Sequence, residues 1–173
     1  EGIYVNTSMT GADWERPASL EWIDPKGGPG FHAGCGIRIH GGWSRDPRFK
    51  KHSFRLYFRK RYGPPALEFP LFPDSRVQRF EKLVLRAGSD DAWVDYQKAW
   101  LRIMTQYLRD QFARDTHKDM GWLASQGRFV HLYLDGSYWG LYNVVERPDA
   151  DFLASHLGGS DEDYDVIQTR AEV

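Results

Sequence analysis

The chain holds a single cysteine, Cys35, among 173 residues. One thiol cannot close an internal disulfide or build a multi-thiolate metal cluster. Set in Gly-Cys-Gly-Ile, it reads as a small residue at a strand start rather than as a reactive group. Apolar runs are short, and none approaches the roughly 18 residues that a membrane-crossing helix needs. The sequence contains no internal repeat and no low-complexity tract. It lacks a Walker loop, a Rossmann glycine fingerprint and a His-Glu-x-x-His pair. It also lacks a nucleophile elbow and a catalytic-triad pattern. No initiator Met and no signal peptide are present, and both ends read as cut. The expectation is a piece of a longer protein, in which a missing targeting segment says little about compartment. Charge of one sign is not in excess, with 23 Lys+Arg against 24 Asp+Glu.

What is present is a globular composition: 41% hydrophobic, 15% aromatic and 27% charged. That is enough for one domain, or a large fragment of one, with a buried core. The charge is unevenly placed. Between Arg38 and Arg61 stand Arg38, Arg45, Arg48, Lys50, Lys51, Arg55, Arg59, Lys60 and Arg61, with Asp46 as the one acid. The rest of the molecule keeps only 14 of the 23 bases but 23 of the 24 acids.

Two strands frame this stretch. In Gly36-Ile-Arg-Ile-His40, Ile37 and Ile39 share one face and Arg38 and His40 the other. In Ser53 to Arg59, Phe54, Leu56 and Phe58 alternate with Arg55, Tyr57 and Arg59. Period-2 alternation predicts two half-buried strands. Once paired, they gather Arg38, His40, Arg55 and Arg59 opposite the core.

Elsewhere, strands are expected at Glu1–Asn6, around Ser19–Ile23, at Phe80–Arg86 and at Tyr164–Ile167. Pro64 to Pro73 reads as irregular surface connection. One long helix is expected from Trp93 to about Asp115, with Trp93, Trp100, Leu101, Met104, Leu108 and Phe112 on one stripe and Asp90 and Asp91 at its start. Phe129–Leu134, Asp135-Gly136 and Ser137–Val145 form the clearest hairpin, of type I′. A short helix follows at 150–157. The order predicts α+β architecture with a mostly antiparallel sheet.

Clustered guanidinium and ammonium groups beside Gly41-Gly42, with the Ser44 hydroxyl nearby, suit an anion with several oxygens, most naturally phosphate. A solvated basic face is the competing reading. Nucleic acid is disfavoured by an isoelectric point near 6.7 and the lack of a long basic stripe. His40, His52 and His131 show no metal-ligand spacing, so no metal site is expected, and His52 has the parity of the buried Phe54 face. On the helix, Asp110 and Arg114 form an i,i+4 pair that is either a surface network or a brace for a cation on the sheet. Glu146, at a strand end, is either a ligand group or a cap for the following helix.

Several stretches in one order resemble the spore coat protein H (CotH) kinase family. They are Gly36–Arg45 with Lys50-Lys51 and Ser53–Phe58; Leu83–Gly88; Tyr107–Asp110; Leu132–Tyr142; and Glu146–Asp149 with Phe152. The resemblance implies an atypical protein-kinase-like fold, of which this chain is the N-terminal lobe and hinge region, the C-terminal lobe being absent. It implies ATP and Mg²⁺ as cofactors and transfer of phosphate to a serine of a protein partner. It also implies an extracellular, cell-surface or spore-surface location. Cofactor-binding positions are then Arg38, Ser44, Lys50, Lys51, Arg55, Arg86 and Glu146. His52 stands between Lys51 and Ser53, which leaves open the lysine that contacts phosphate. The catalytic base and metal-binding acids are expected after Val173, so the segment alone is expected to be inactive. A different class of reading is an inert surface or adhesion module that binds through its basic, aromatic face.

Overall fold

The computed structural model describes residues 2–93 and 99–167. Its main sheet has six strands: β1 (Arg16–Trp22), β2 (Phe31–His40), β3 (Ser53–Tyr57), β6 (Lys82–Arg86), β7 (Gly127–Leu134) and β8 (Ser137–Glu146). Their order is β1-β2-β3-β6-β8-β7, and every pairing is antiparallel. Two short strands, β4 (Leu67–Glu68) and β5 (Arg79–Phe80), pair separately. Helices α1 (Ala99–Met104), α2 (Arg109–Asp119) and α3 (Ala150–Leu157) complete the mixed architecture.

Alternation decides the two faces of the sheet. Cys35, Phe54, Leu56, Leu83, Leu85, Tyr142 and Val144 point to one side. There they meet Leu67, Leu71, Phe72 and Phe80 from the small sheet and its connections. The stretch from Pro64 to Pro73 is therefore core-forming rather than merely superficial, because Ala66, Leu67, Leu71 and Phe72 are all buried. Apolar transfer supplies the driving force, about 1.5–3 kcal/mol for each fully buried large side chain. The opposite face carries Arg38, His40, Arg55, Val84, Arg86, Asn143 and Val145.

The hairpin turn is as expected: Asp135 and Gly136 both have positive φ, 48° and 78°, as a type I′ turn requires. Helix α3 coincides with the expected 150–157 span. Asp149 caps it, its Oδ1 accepting from Phe152 N at 3.3 Å.

Four expectations are corrected. The single long helix is bent, with α1 and α2 separated at residues 105–108, and Tyr107 adopts a left-handed φ of 60°. Tertiary contacts override the periodic stripe at this point. The Tyr107 ring lies edge-on to Trp93 at 5.2 Å and packs at Gly88, while the Thr105 hydroxyl donates back to Arg102 O at 2.8 Å. Met104, Leu108 and Phe112, placed on one stripe of that helix, are exposed. Asp91 accepts from Gln106 N at 3.0 Å and so serves the bend instead of the start of a long helix.

The expected first strand is a turn closed by Val5 N and Asn6 N donating to Gly2 O. The expected last strand, Tyr164–Ile167, has no ladder partner among the described residues. A 3-10 turn at Asp161–Asp163 precedes it, held by a reciprocal cap between Ser160 and Asp163. Finally, Phe80–Arg86 is two strands, because Glu81 is where the chain leaves the small sheet for the large one. Glu81 O accepts from Phe58 N at 2.8 Å at the crossing.

Candidate functional site

The strand registers fix which polar side chains can meet. Arg38 lies opposite Arg55, and His40 opposite Ser53, across β2 and β3. Arg55 pairs with Val84, Val84 with Val145, and Arg86 with Asn143 in the next ladders. Over the far side of this face lies α2. Arg114 on that helix donates to Asn143 Oδ1 at 2.6 Å and to Gln111 Oε1 at 2.8 Å. Asp110 joins helix to sheet, sitting 3.2 Å from Arg86 Nε and 3.0 Å from Arg114. The helical acid thus braces a cation on the neighbouring strand.

Between these groups opens a cleft of about 450 Å³. Its polar wall holds His40, Arg86, Asp110, Arg114, Glu146 and Arg147; Val84, Val145, Leu123, Pro148 and Phe152 give it an apolar wall. Cations exceed acids here, and the acids are already engaged. Asp110 is shared by two arginines. Glu146 accepts from Gln126 N at 2.8 Å and lies 2.9 Å from His156 Nε2. Arg147 shares Asp149 with Lys82, at 3.5 and 3.1 Å. Burial pushes the pKa of Arg114 and of Arg147 down from the ordinary value. His40 is pushed down to about 3, first by burial and then by the guanidinium groups of Arg55, Arg147, Arg86 and Arg45. Arg55 donates to His40 Nδ1 at 2.9 Å and to the Tyr57 hydroxyl at 3.2 Å. The Nε atoms of Arg55 and Arg114 are buried without a hydrogen-bond partner. The surplus of guanidinium groups over acids lining the cleft favours an anionic oxygen ligand.

The structure divides the expected site residues. Arg86 and Glu146 line the cleft, and Arg55 stands behind His40 at its wall. Arg38 is drawn away: its guanidinium is 3.4 Å from Glu15 and 4.1 Å from the Tyr57 ring centre. Arg59 and Arg61 converge on the same Glu15 carboxylate, whose side chain is fully buried. Glu15 Oε2 has no hydrogen bond, so its pairing with Arg38 is electrostatic only. Arg45 is spent on the carbonyls of Thr7, Ile39 and Met9.

Ser44 sits in the 3-10 turn Trp43–Arg45, with Oγ 2.1 Å from where a Cβ on Gly41 would stand. That close approach and a φ of 126° explain the glycine. Lys50 is exposed. Lys51 reaches the Leu141 carbonyl and lies 4.4 Å from the Tyr142 ring centre and 5.0 Å from that of Tyr107. Burial pushes its pKa down to about 8. His52 is wholly buried, as its parity implied, and Tyr142 donates to its carbonyl at 2.8 Å. None of Arg38, Ser44, Lys50 or Lys51 lines the cleft.

Sequence reasoning passed over Glu15, Arg147 and His156. Glu15 carries no local signal, since its arginines come from residues 38, 59 and 61. Arg147 was within reach, in the same strand-end position as Glu146. Among the described residues no group of three or more His, Cys, Asp or Glu side chains could hold a metal ion. Mg²⁺ needs free carboxylate oxygens, and the cleft acids are committed to arginine, histidine and backbone donors, so the described residues do not fit that ion.

The polar face of an antiparallel sheet, a bracing helix and a cation-rich cleft together describe a mixed α/β unit with a basic cleft. Residues 37–172 match the family model described as CotH kinase protein, and the chain belongs to the CotH kinase family. No curated protein matches the chain at a significant level.

Proposed function

We propose that this chain supplies the nucleotide-phosphate-binding lobe of an ATP-dependent kinase that transfers phosphate to serine on a protein substrate. The observation that carries the reading is the cleft where Arg86, braced by Asp110, meets Arg147, Arg114 and the His40–Arg55 pair. Phosphoryl transfer is catalysed mainly by positioning and by cations held where negative charge lies. Arg86 is suited to this, because its partner on α2 fixes the guanidinium before the ligand arrives. The apolar wall at Leu123, Pro148 and Phe152 offers a surface for a nucleobase. No described residue is assigned as catalytic base or Mg²⁺ ligand, and in this reading the described residues act as the binding lobe.

Titration calorimetry and thermal denaturation test this. ATP should bind and raise the melting temperature, adenosine should do so far less, and Arg86→Ala should weaken ATP by roughly tenfold or more. Radiolabelled ATP should give no transfer to serine-containing proteins from this chain alone. Equal responses to ATP and adenosine, or none to either, would remove the reading in favour of an inert surface-binding module.

A further inference from the structure

His40 ends β2 on the polar face and lines the cleft. Its Nδ1 receives the Arg55 guanidinium at 2.9 Å. Arginine can only donate, so Nδ1 is the acceptor and the proton of a neutral imidazole resides on Nε2. Neutrality follows from the surroundings. Arg55 on β3, Arg86 on β6, Arg147 after β8 and Arg45 in the turn after β2 all oppose a further positive charge, and burial opposes it more. The acids of the same cleft do not reverse this. Asp110 on α2 is taken by Arg86 and Arg114, and Glu146 on β8 by His156 and Gln126 N. The result is a hydrogen-bond donor that adds no charge to an already crowded set of cations. It also locks the plane of Arg55, whose Nε lacks a partner.

We propose that His40 is a binding residue of this cleft, donating from Nε2–H to a phosphate oxygen while its Nδ1 accepts from the Arg55 guanidinium behind it, which fixes the ring. The inference rests on the reading of the cleft as a phosphate site and adds a specific reader to it. His40 forms one recognition unit with Arg55, and the ligand class is a polyphosphate.

The test uses the whole chain with isotope-labelled histidine and inorganic tripolyphosphate as the probe. Nitrogen-resolved NMR should show the Nε2–H tautomer of His40 throughout pH 5 to 8, and saturation with tripolyphosphate should move the His40 Nε2 resonance. His40→Asn keeps an acceptor for Arg55, but its shorter amide places no N–H at the position of Nε2, and it should bind tripolyphosphate roughly tenfold more weakly. His40→Leu loses both and should fall further, by roughly a hundredfold. An imidazolium or an Nδ1–H tautomer in that pH range overturns the assignment without any variant. Wild-type binding with an unmoved His40 ring and an undiminished His40→Asn overturns it while sparing the phosphate cleft. Failure of the wild-type chain to bind tripolyphosphate at all removes both.

Discussion

Two groups of cations, drawn largely from one basic stretch, meet opposite fates. At the β1 side, Arg38, Arg59 and Arg61 close on Glu15, a carboxylate with 0% of its side chain exposed. At the other, Arg86, Arg114 and Arg147 line a cleft whose acids are shared or already engaged, with Arg55 bonded to His40 of its wall. The first group is a knot tied to one buried carboxylate, three guanidinium groups to a single acid. The second faces an open cleft. Counting cations along the chain therefore says little about binding, and the decisive question is whether the fold turns them inward onto a buried acid or outward onto a cavity.

The largest effect should come from removing the knot's centre. Glu15→Ala leaves three guanidinium groups without their counter-ion and should cost about 3 kcal/mol in chemical denaturation, the scale for breaking a buried pair. A loss under about 0.5 kcal/mol would mean the knot is ordinary surface pairing.

Next is the cleft. Arg147→Ala should weaken ATP roughly tenfold, with little change in unfolding midpoint. Arg59→Ala, taken from the knot, should leave ATP affinity at the wild-type value. Equal losses from both would erase the distinction between the two groups.

Lys51 provides a third fate, an ammonium with tyrosine rings and a carbonyl around it. Its folded pKa is near 8 against an ordinary 10.5. The fold therefore disfavours the charged form, and that cost is fully present below pH 8. It fades as pH climbs from 8 toward 10.5, because there the unfolded chain holds more protons. The stability of wild type relative to Lys51→Met should accordingly rise between pH 7.5 and pH 10 in urea denaturation; parallel curves would contradict this. The smallest effect belongs to Arg59→Ala on stability. Its exposed pairing with Glu15 at 3.5 Å should contribute about 0.5 kcal/mol or less.

Much of the sheet was legible because side-chain period speaks directly to burial. The alternation of Phe54 and Leu56 with Arg55, and the Asp135-Gly136 turn, needed no long-range knowledge. The bend between α1 and α2 was not legible, because Tyr107 is held by Trp93 and Gly88 from another part of the chain. The same limit applied to the site. Arg55 and Glu146 could be named from strand positions, and Arg86 from the resemblance. No local pattern announces that Glu15 claims Arg38, or that Lys51 turns toward β8. Asp110 was recognised as a possible brace, yet only folding brings Arg86 within 3.2 Å of it. Ladder positions are written locally, while ion-pair partners are chosen by topology.

Asp149 is a shared fastening. One carboxylate starts α3 through Phe152 N and anchors Lys82 on β6 and Arg147 at the rim of the cleft. Helix onset, a side chain of β6 and the cleft rim thus meet at one carboxylate, so a ligand that draws on Arg147 competes for the same oxygen that holds Lys82.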